Sequence, residues 1–162
     1  MEHGGGPHWA LALEQSAAGQ LLRESLFLYP LANVLHVLAI ATLFGSIAVF
    51  DLRVLGLARG VAVDALAKLA LPVAAGALCI AVPTGIAMFI AEAPAYVRNP
   101  VFLTKMALIA LAVVNIAVFH FGSLRDIRRL AKEPPLSARA GAAASLGLWL
   151  AAVAAGRLIA YY

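Results

Sequence analysis

The sequence predicts an all-α integral membrane protein, an up-down-up-down four-helix bundle with an N-terminal amphipathic helix lying at the interface. Three observations carry this prediction. Of the 162 residues 64% are hydrophobic and only 12% charged, with a mean hydropathy of +0.94, more apolar surface than a soluble domain of this size can hide. Four segments reach the ~20 apolar residues that a spanning helix needs, namely Phe27 to Phe50, Leu69 to Ala91, Val101 to Phe121 and Ala140 to Ala160. The Lys and Arg residues gather in the loops and at the span ends, as membrane topology requires. The net charge of +4 is therefore a topology signal, and nucleic acid is not an expected partner; the lipid bilayer is.

Residues 1–26 form a segment distinct from the spanning domain of residues 27–162. Met1 to His8 lacks a basic region followed by an apolar core, so no cleaved signal is expected. His3 and His8 flank a glycine run in this terminus. From His8 to Ser25, Trp9, Leu11, Leu13, Ala17, Leu21 and Leu22 alternate with Glu14, Gln15, Gln20, Arg23 and Glu24, which predicts one short amphipathic helix on the membrane surface with Trp9 at headgroup level.

The first span closes on Asp51-Leu52-Arg53, where an ion pair or a helix-end charge is expected. The second contains Pro72, Pro83 and Thr84-Gly85, which predict a bent helix whose freed backbone groups are satisfied by its neighbours. Cys79, the lone cysteine, excludes a disulfide framework or thiolate cluster and reads as a small buried hydrophobe. Asn115, in mid-span, predicts an interhelical hydrogen bond, and Gly45-Ser46, Gly76, Gly85, Gly141, Ser145 and Gly147 are expected to allow close helix approach. Pro134-Pro135 stops the extension of the third span. Short connections make consecutive spans antiparallel.

Loop charge predicts the orientation. Arg53, Arg59, Lys68, Arg125, Arg128, Arg129, Lys132 and Arg139 lie on one side, against Arg23, Arg98, Lys105 and Arg157 on the other. By the positive-inside rule both termini and the Glu92 to Asn99 loop face outward, which in a bacterial inner membrane is the periplasm.

Against this apolar background His36 stands out, because an ionisable ring too short to reach the headgroups is costly in a bilayer and marks a functional site. Counting ~1.5 Å per residue from the outer boundary puts His36 roughly 10 Å deep and Lys105 roughly 7 Å deep. Met106, Met88 and Arg157 fall in the same outer half, and Asn33 shares the general face of His36. Lys105 and Arg157 each have a bland account, snorkelling to the outer headgroups; Met88 and Met106 have another, filling gaps in the core. His120 belongs near the opposite face, on the order of 15 Å from His36 in depth, whereas two axial nitrogens on one iron are only ~4 Å apart. The His36 and His120 pair is therefore the less favoured ligand pair.

From Tyr29 to about His120, the Tyr-Pro before His36, Gly45-Ser46, Asp51-Leu52-Arg53-Val54-Leu55-Gly56, Thr84-Gly85 and Asn99-Pro100-Val101-Phe102-Leu103-Thr104-Lys105 resemble an uncharacterised bacterial family of small four-helix membrane proteins. More distantly, His36, Gly45, Arg53, Pro72, Gly85 and Lys105 resemble the pattern of the HemJ-type protoporphyrinogen oxidases. In that family the first-span histidine and third-span lysine are implicated in holding b-type haem and in activity, which implies His36 and Lys105 as metal ligands here. The first and third spans are also similar to those of the CopD copper-resistance family, which implies copper handling at the outer face. The chain departs from both at Phe44, where they commonly carry tryptophan. The expectation is a haem b site in the outer half with His36 as one axial ligand, Lys105 as the second by resemblance, and Arg157 and Arg98 neutralising propionates. Redox chemistry with a quinone or a porphyrin would follow. The alternatives are a Cu(I) site of His36 with Met88 or Met106, and an accessory subunit in which His36 only bonds a neighbouring helix; assembly as a homo-oligomer is open under any of these readings.

Overall fold

A computed structural model describes residues 6–122 and 134–161; the His120 side chain, like His3, Arg125, Arg128, Arg129 and Lys132, lies outside the described residues. The chain is all helical there. Two short helices, α1 (His8–Glu14) and α2 (Ala17–Glu24), precede the first long helix α3 (Leu28–Leu55), which is followed by α4 (Val63–Ala91), the short α5 (Ala93–Arg98), α6 (Pro100–Phe121) and α7 (Leu136–Leu158), with a 3₁₀ turn at Ile159–Tyr161. Helices α3, α4, α6 and α7 are long and apolar enough to cross a membrane, and they pack as the expected four-helix bundle.

The amphipathic segment is two helices rather than one. Ser16 breaks it, its hydroxyl capping α2 by accepting from the Gly19 N–H at 3.3 Å. Arg23 returns across the break to the Glu14 carboxylate at 3.0 Å and the Glu14 carbonyl at 3.1 Å, so the two helices form a closed hairpin. Gly19 is buried against the end of α1, where any side chain would overlap the Glu14 carbonyl.

The spans outrun the apolar runs that predict them, because polar first and last turns are helical too. Helix α4 begins at Val63, where Asp64 and Lys68 pair at 2.6 Å one turn apart, and it stays helical through Pro72 and Pro83. Helix α3 continues to Leu55 and ends on Gly56, whose φ of 113° suits a residue without a side chain. Helix α6 starts on Asn99, whose side-chain oxygen accepts from the Val101 and Phe102 N–H groups at 2.9 and 3.2 Å, with Pro100 in the first turn. The same Asn99 donates to the Ile159 carbonyl at 3.3 Å. That bond ties the chain's C-terminal turn to the α5–α6 junction, where α1 also packs, so both described ends of the chain share one end of the bundle.

Extended packing runs from α4 to α3, α3 to α7 and α7 to α6. Two apolar clusters fill the middle of the bundle and the end away from the termini. One gathers Phe50 and Val54 of α3, Val63, Ala67 and Ala70 of α4 and Ala138 and Ala142 of α7, with Phe119 of α6 against it; Phe50 and Phe119 meet edge to face at 5.7 Å. The other joins Leu43, Ile47, Ala74, Ala77, Ala112 and Trp149, one or more from each span. Asn115 donates to the Gly141 carbonyl on α7 at 3.1 Å, the interhelical bond expected of it.

Several expectations need correction. Cys79 is exposed, because the inward face of α4 runs through Ala70, Ala74, Ala77 and Ala81 and leaves position 79 on the outside. Gly45, Gly76 and Gly147 have open space where a side chain would stand, so close approach falls to Gly85, Gly141 and Gly156. Asp51 and Arg53 do not pair with each other: Arg53 turns to the Val61 and Arg59 carbonyls across the loop, and Asp51 turns into the bundle and is buried.

Candidate functional site

The mid-bundle cluster fixes the level of everything beyond it. Leu43, Ala77, Ala112 and Trp149 lie together, one from each span, and seven residues from each toward the termini stand His36, Thr84, Lys105 and Gly156. Seven residues are two helical turns, so these four keep the same faces about 10 Å further along. Contacts agree with the register.

His36 reaches from α3 to α4. Its Nδ1 lies 2.9 Å from the Ala81 carbonyl and 3.0 Å from Thr84 Oγ1. A carbonyl only accepts, and the single Thr84 hydroxyl proton is directed at Ile80 O at 2.7 Å or Ala81 O at 3.1 Å. Nδ1 must therefore carry the proton, and in the neutral ring Nε2 keeps its lone pair. The ring lies over Gly85, where an added Cβ would sit 2.9 Å from Cε1. The glycine is what lets the imidazole settle against the α4 backbone.

Lys105 reaches from α6 to α7. Its side chain is drawn across Gly156, where an added Cβ would lie 3.6 Å from Cε and 3.7 Å from Nζ. It is half-buried rather than extended to the headgroups, it is close enough to His36 to act on it electrostatically, and Nζ makes no hydrogen bond or ion pair among the described residues. Sequence reasoning placed His36 and Lys105 at one depth; it missed Gly85's fit to the ring, Thr84's hold on it, and Gly156 altogether, because a glycine's meaning depends on what crosses it.

Aromatic rings gather beyond His36 and Lys105. Phe89 stacks on Phe102 at 5.7 Å and Trp9 of α1 on Phe89 at 6.5 Å, and Tyr96 meets Phe102 at a tilt, 5.0 Å away. Phe89 stands one turn beyond Gly85 and Phe102 one turn beyond Lys105, so the rings bridge α4 and α6, which share no extended packing among the described residues. Burial, and then the Tyr29 phenol beside it, push the Tyr96 phenol above its ordinary range.

The other candidates are dispersed. Asn33 and Met88 are half-buried, Met106 is 46% exposed, and Arg98 is exposed beside Gly6 and Pro94. Arg157 is exposed, its guanidinium 5.6 Å from the Tyr161 ring and 3.5 Å from its hydroxyl. Among the described residues, no three His, Cys, Asp or Glu side chains gather as a metal cluster. Two groups of contacts stand at this level, His36 with Thr84 and Gly85 between α3 and α4, and Lys105 with Gly156 between α6 and α7; the apolar cluster lies on one side of them and the aromatic rings on the other.

This is a multi-pass membrane protein, a bundle of four candidate spans with His36 and Lys105 near the end that holds its termini. Residues 24–162 match DUF6644, a family of unknown function, and the chain belongs to that family. No curated protein and no solved structure matches it.

Proposed function

We propose that this protein is a bacterial inner-membrane haem b protein working in electron transfer or in oxidoreduction of a quinone or porphyrin, with His36 Nε2 as one axial ligand and Lys105 as the second. The single observation that carries the reading is the state of the His36 ring. Its Nδ1–H is committed to Ala81 and Thr84, the outer bond that fixes tautomer and ring direction in metal-bound histidines. Lys105 Nζ, unpartnered among the described residues, supports a nitrogen donor across the same space; it would ligate as the neutral amine. The resemblance of both residues to the HemJ-type pattern points the same way. Haem would supply one-electron chemistry. The chain's own part is to orient the imidazole, to exclude water with the Trp9, Phe89, Tyr96 and Phe102 lid, and to set the potential through the ligand pair. Arg98 and Arg157, at the end of the bundle, are the basic residues for the propionates.

The eight-to-four division of basic residues supports periplasmic termini, which puts the site near the periplasmic face. Alkaline phosphatase fused after Tyr162 should then be active; activity confined to a cytoplasmic reporter would move the site to the other face.

The absorption spectrum of detergent-purified protein tests the cofactor. A Soret band that disappears in His36→Ala and shifts in Lys105→Met, where a thioether replaces the amine, is the expected result. Colourless protein carrying one copper would favour instead a soft site of His36 with Met88 or Met106. Protein that binds neither would leave the His36 bond to Ala81 as a helix-packing contact.

A further inference from the structure

The haem reading leaves one ionisable group inside the bundle unexplained. Asp51, on the inward face of α3, is 5% exposed and lies about 22 Å along the helix from His36. Its Oδ2 is buried without a hydrogen-bond partner among the described residues, and the Ser145 hydroxyl of α7 lies beside the carboxyl. One residue before it in α3, Phe50 belongs to a cluster with Val54, Ala67, Ala70, Ala138 and Ala142.

The charged groups of the neighbouring elements are used elsewhere. Arg53 bonds the Val61 and Arg59 carbonyls, Asp64 pairs with Lys68 on α4, and Arg139, in the first turn of α7, has a partner of its own. Helix α6 contributes Phe119 at this level; the His120 side chain is outside the described residues. Trp149 Nε1, one turn beyond Ser145 on α7, is also buried without a partner among the described residues, but it is a donor that carries no counter-charge.

An ionised carboxylate in such a setting loses its hydration and gains no cation among the described residues, which makes the charged form costly. Two carboxyl oxygens and one hydroxyl are too few for Na⁺ or another hard cation, which needs several more oxygen ligands. A proton alone removes the charge and needs no further ligand. We propose that Asp51, with Ser145 beside it, is an intramembrane proton-binding site separate from the histidine–lysine site. Asp51 is four residues from the end of α3, about 6 Å of helix, so the water at that end of the bundle supplies and receives the proton.

The test uses the full chain in detergent or nanodiscs and the apolar reagent dicyclohexylcarbodiimide, which adds to protonated carboxyls in apolar surroundings. The expected result is a carbodiimide adduct mapped to Asp51 by peptide mass spectrometry, absent at that position in Asp51→Asn. Its yield should fall roughly tenfold per pH unit once the group ionises. A water-soluble carbodiimide with an added amine should mark Glu24 and Asp64 and spare Asp51. In unlabelled protein, the infrared band of a protonated carboxyl should be present and vanish in Asp51→Asn, whether or not haem is bound. No adduct and no such band across the pH range in which the protein stays folded would overturn the proposal. So would protection of Asp51 by Na⁺ at fixed ionic strength, which would make it a cation site.

Discussion

The two halves of this bundle solve the same packing problem in opposite ways. Away from the termini, alanines set at helical spacing on α4 and α7 let Phe50, Val54 and Phe119 interlock, and all four spans meet in the apolar floor of Leu43, Ala77, Ala112 and Trp149. At the other end reaching side chains lie across glycines, His36 onto Gly85 and Lys105 onto Gly156, beside buried alanines such as Ala81 and Ala152 and stacked rings across α4 and α6. Lipid gives little apolar drive for helix association, so stability follows close contact. The dense half should therefore carry the fold. The looser half is where His36 and Lys105 stand and where the proposed haem would bind, and substitutions should sort accordingly.

Gly85→Ala should separate the halves most sharply. Its methyl group would meet His36 Cε1 at 2.9 Å, forcing the ring off Ala81 and Thr84, so most of the bound haem should be lost while the helical circular dichroism stays unchanged. Gly76→Ala on the same helix, with open space at that position, should keep the full haem content and gain up to about 1 kcal/mol from helix propensity. Equal haem retention in the two variants would show that the notch does not position the ring. The converse is Ala70→Leu in the dense cluster, where overpacking should cost about 1–3 kcal/mol, read as a lower unfolding temperature with the haem spectrum preserved. His120→Ala, at the far end of α6 from Lys105, should leave haem content intact; complete loss with the fold retained would place His120 among the ligands.

The dense half was legible where the period is regular. Four apolar runs give the four spans, and Asn115 announces its bond to α7 by being polar in mid-span. Asp51 was read as a helix-end charge because it closes an apolar run in the sequence; whether a residue at a helix end turns inward depends on the partner helix, here the Ser145 face of α7. In the looser half, His36 is conspicuous by chemistry and Lys105 by depth, whereas Gly156 and the aromatic lid carry no one-dimensional signal, since Trp9, Phe89, Tyr96 and Phe102 come from four separate elements. The hairpin of α1 and α2 was hidden for a related reason. Its break rests on Ser16 capping and on Arg23 folding back to Glu14, which an amphipathic pattern spanning both helices does not show.

The lid gives the smallest expected effect and a direct reading of how closed the looser half is. Tyr96 sits on α5, outside the spans, against Phe102 and Phe89, and burial first and Tyr29 second push its phenol upward. The unfolded chain ionises such a phenol near pH 10. For an acid whose folded value is raised, the stability contribution is fully present below the unfolded value and is lost as pH rises from there through the raised folded value. Unfolding measured in detergent between neutral and strongly alkaline pH should thus show wild type losing stability above about pH 10, and Tyr96→Phe losing less over the same interval because the raised phenol is gone while the other groups that titrate there are unchanged. At neutral pH the two should differ little, since Phe keeps the stacking area. Parallel alkaline profiles would mean that water reaches the Tyr96 hydroxyl and that the ring cluster does not seal the space above His36 and Lys105.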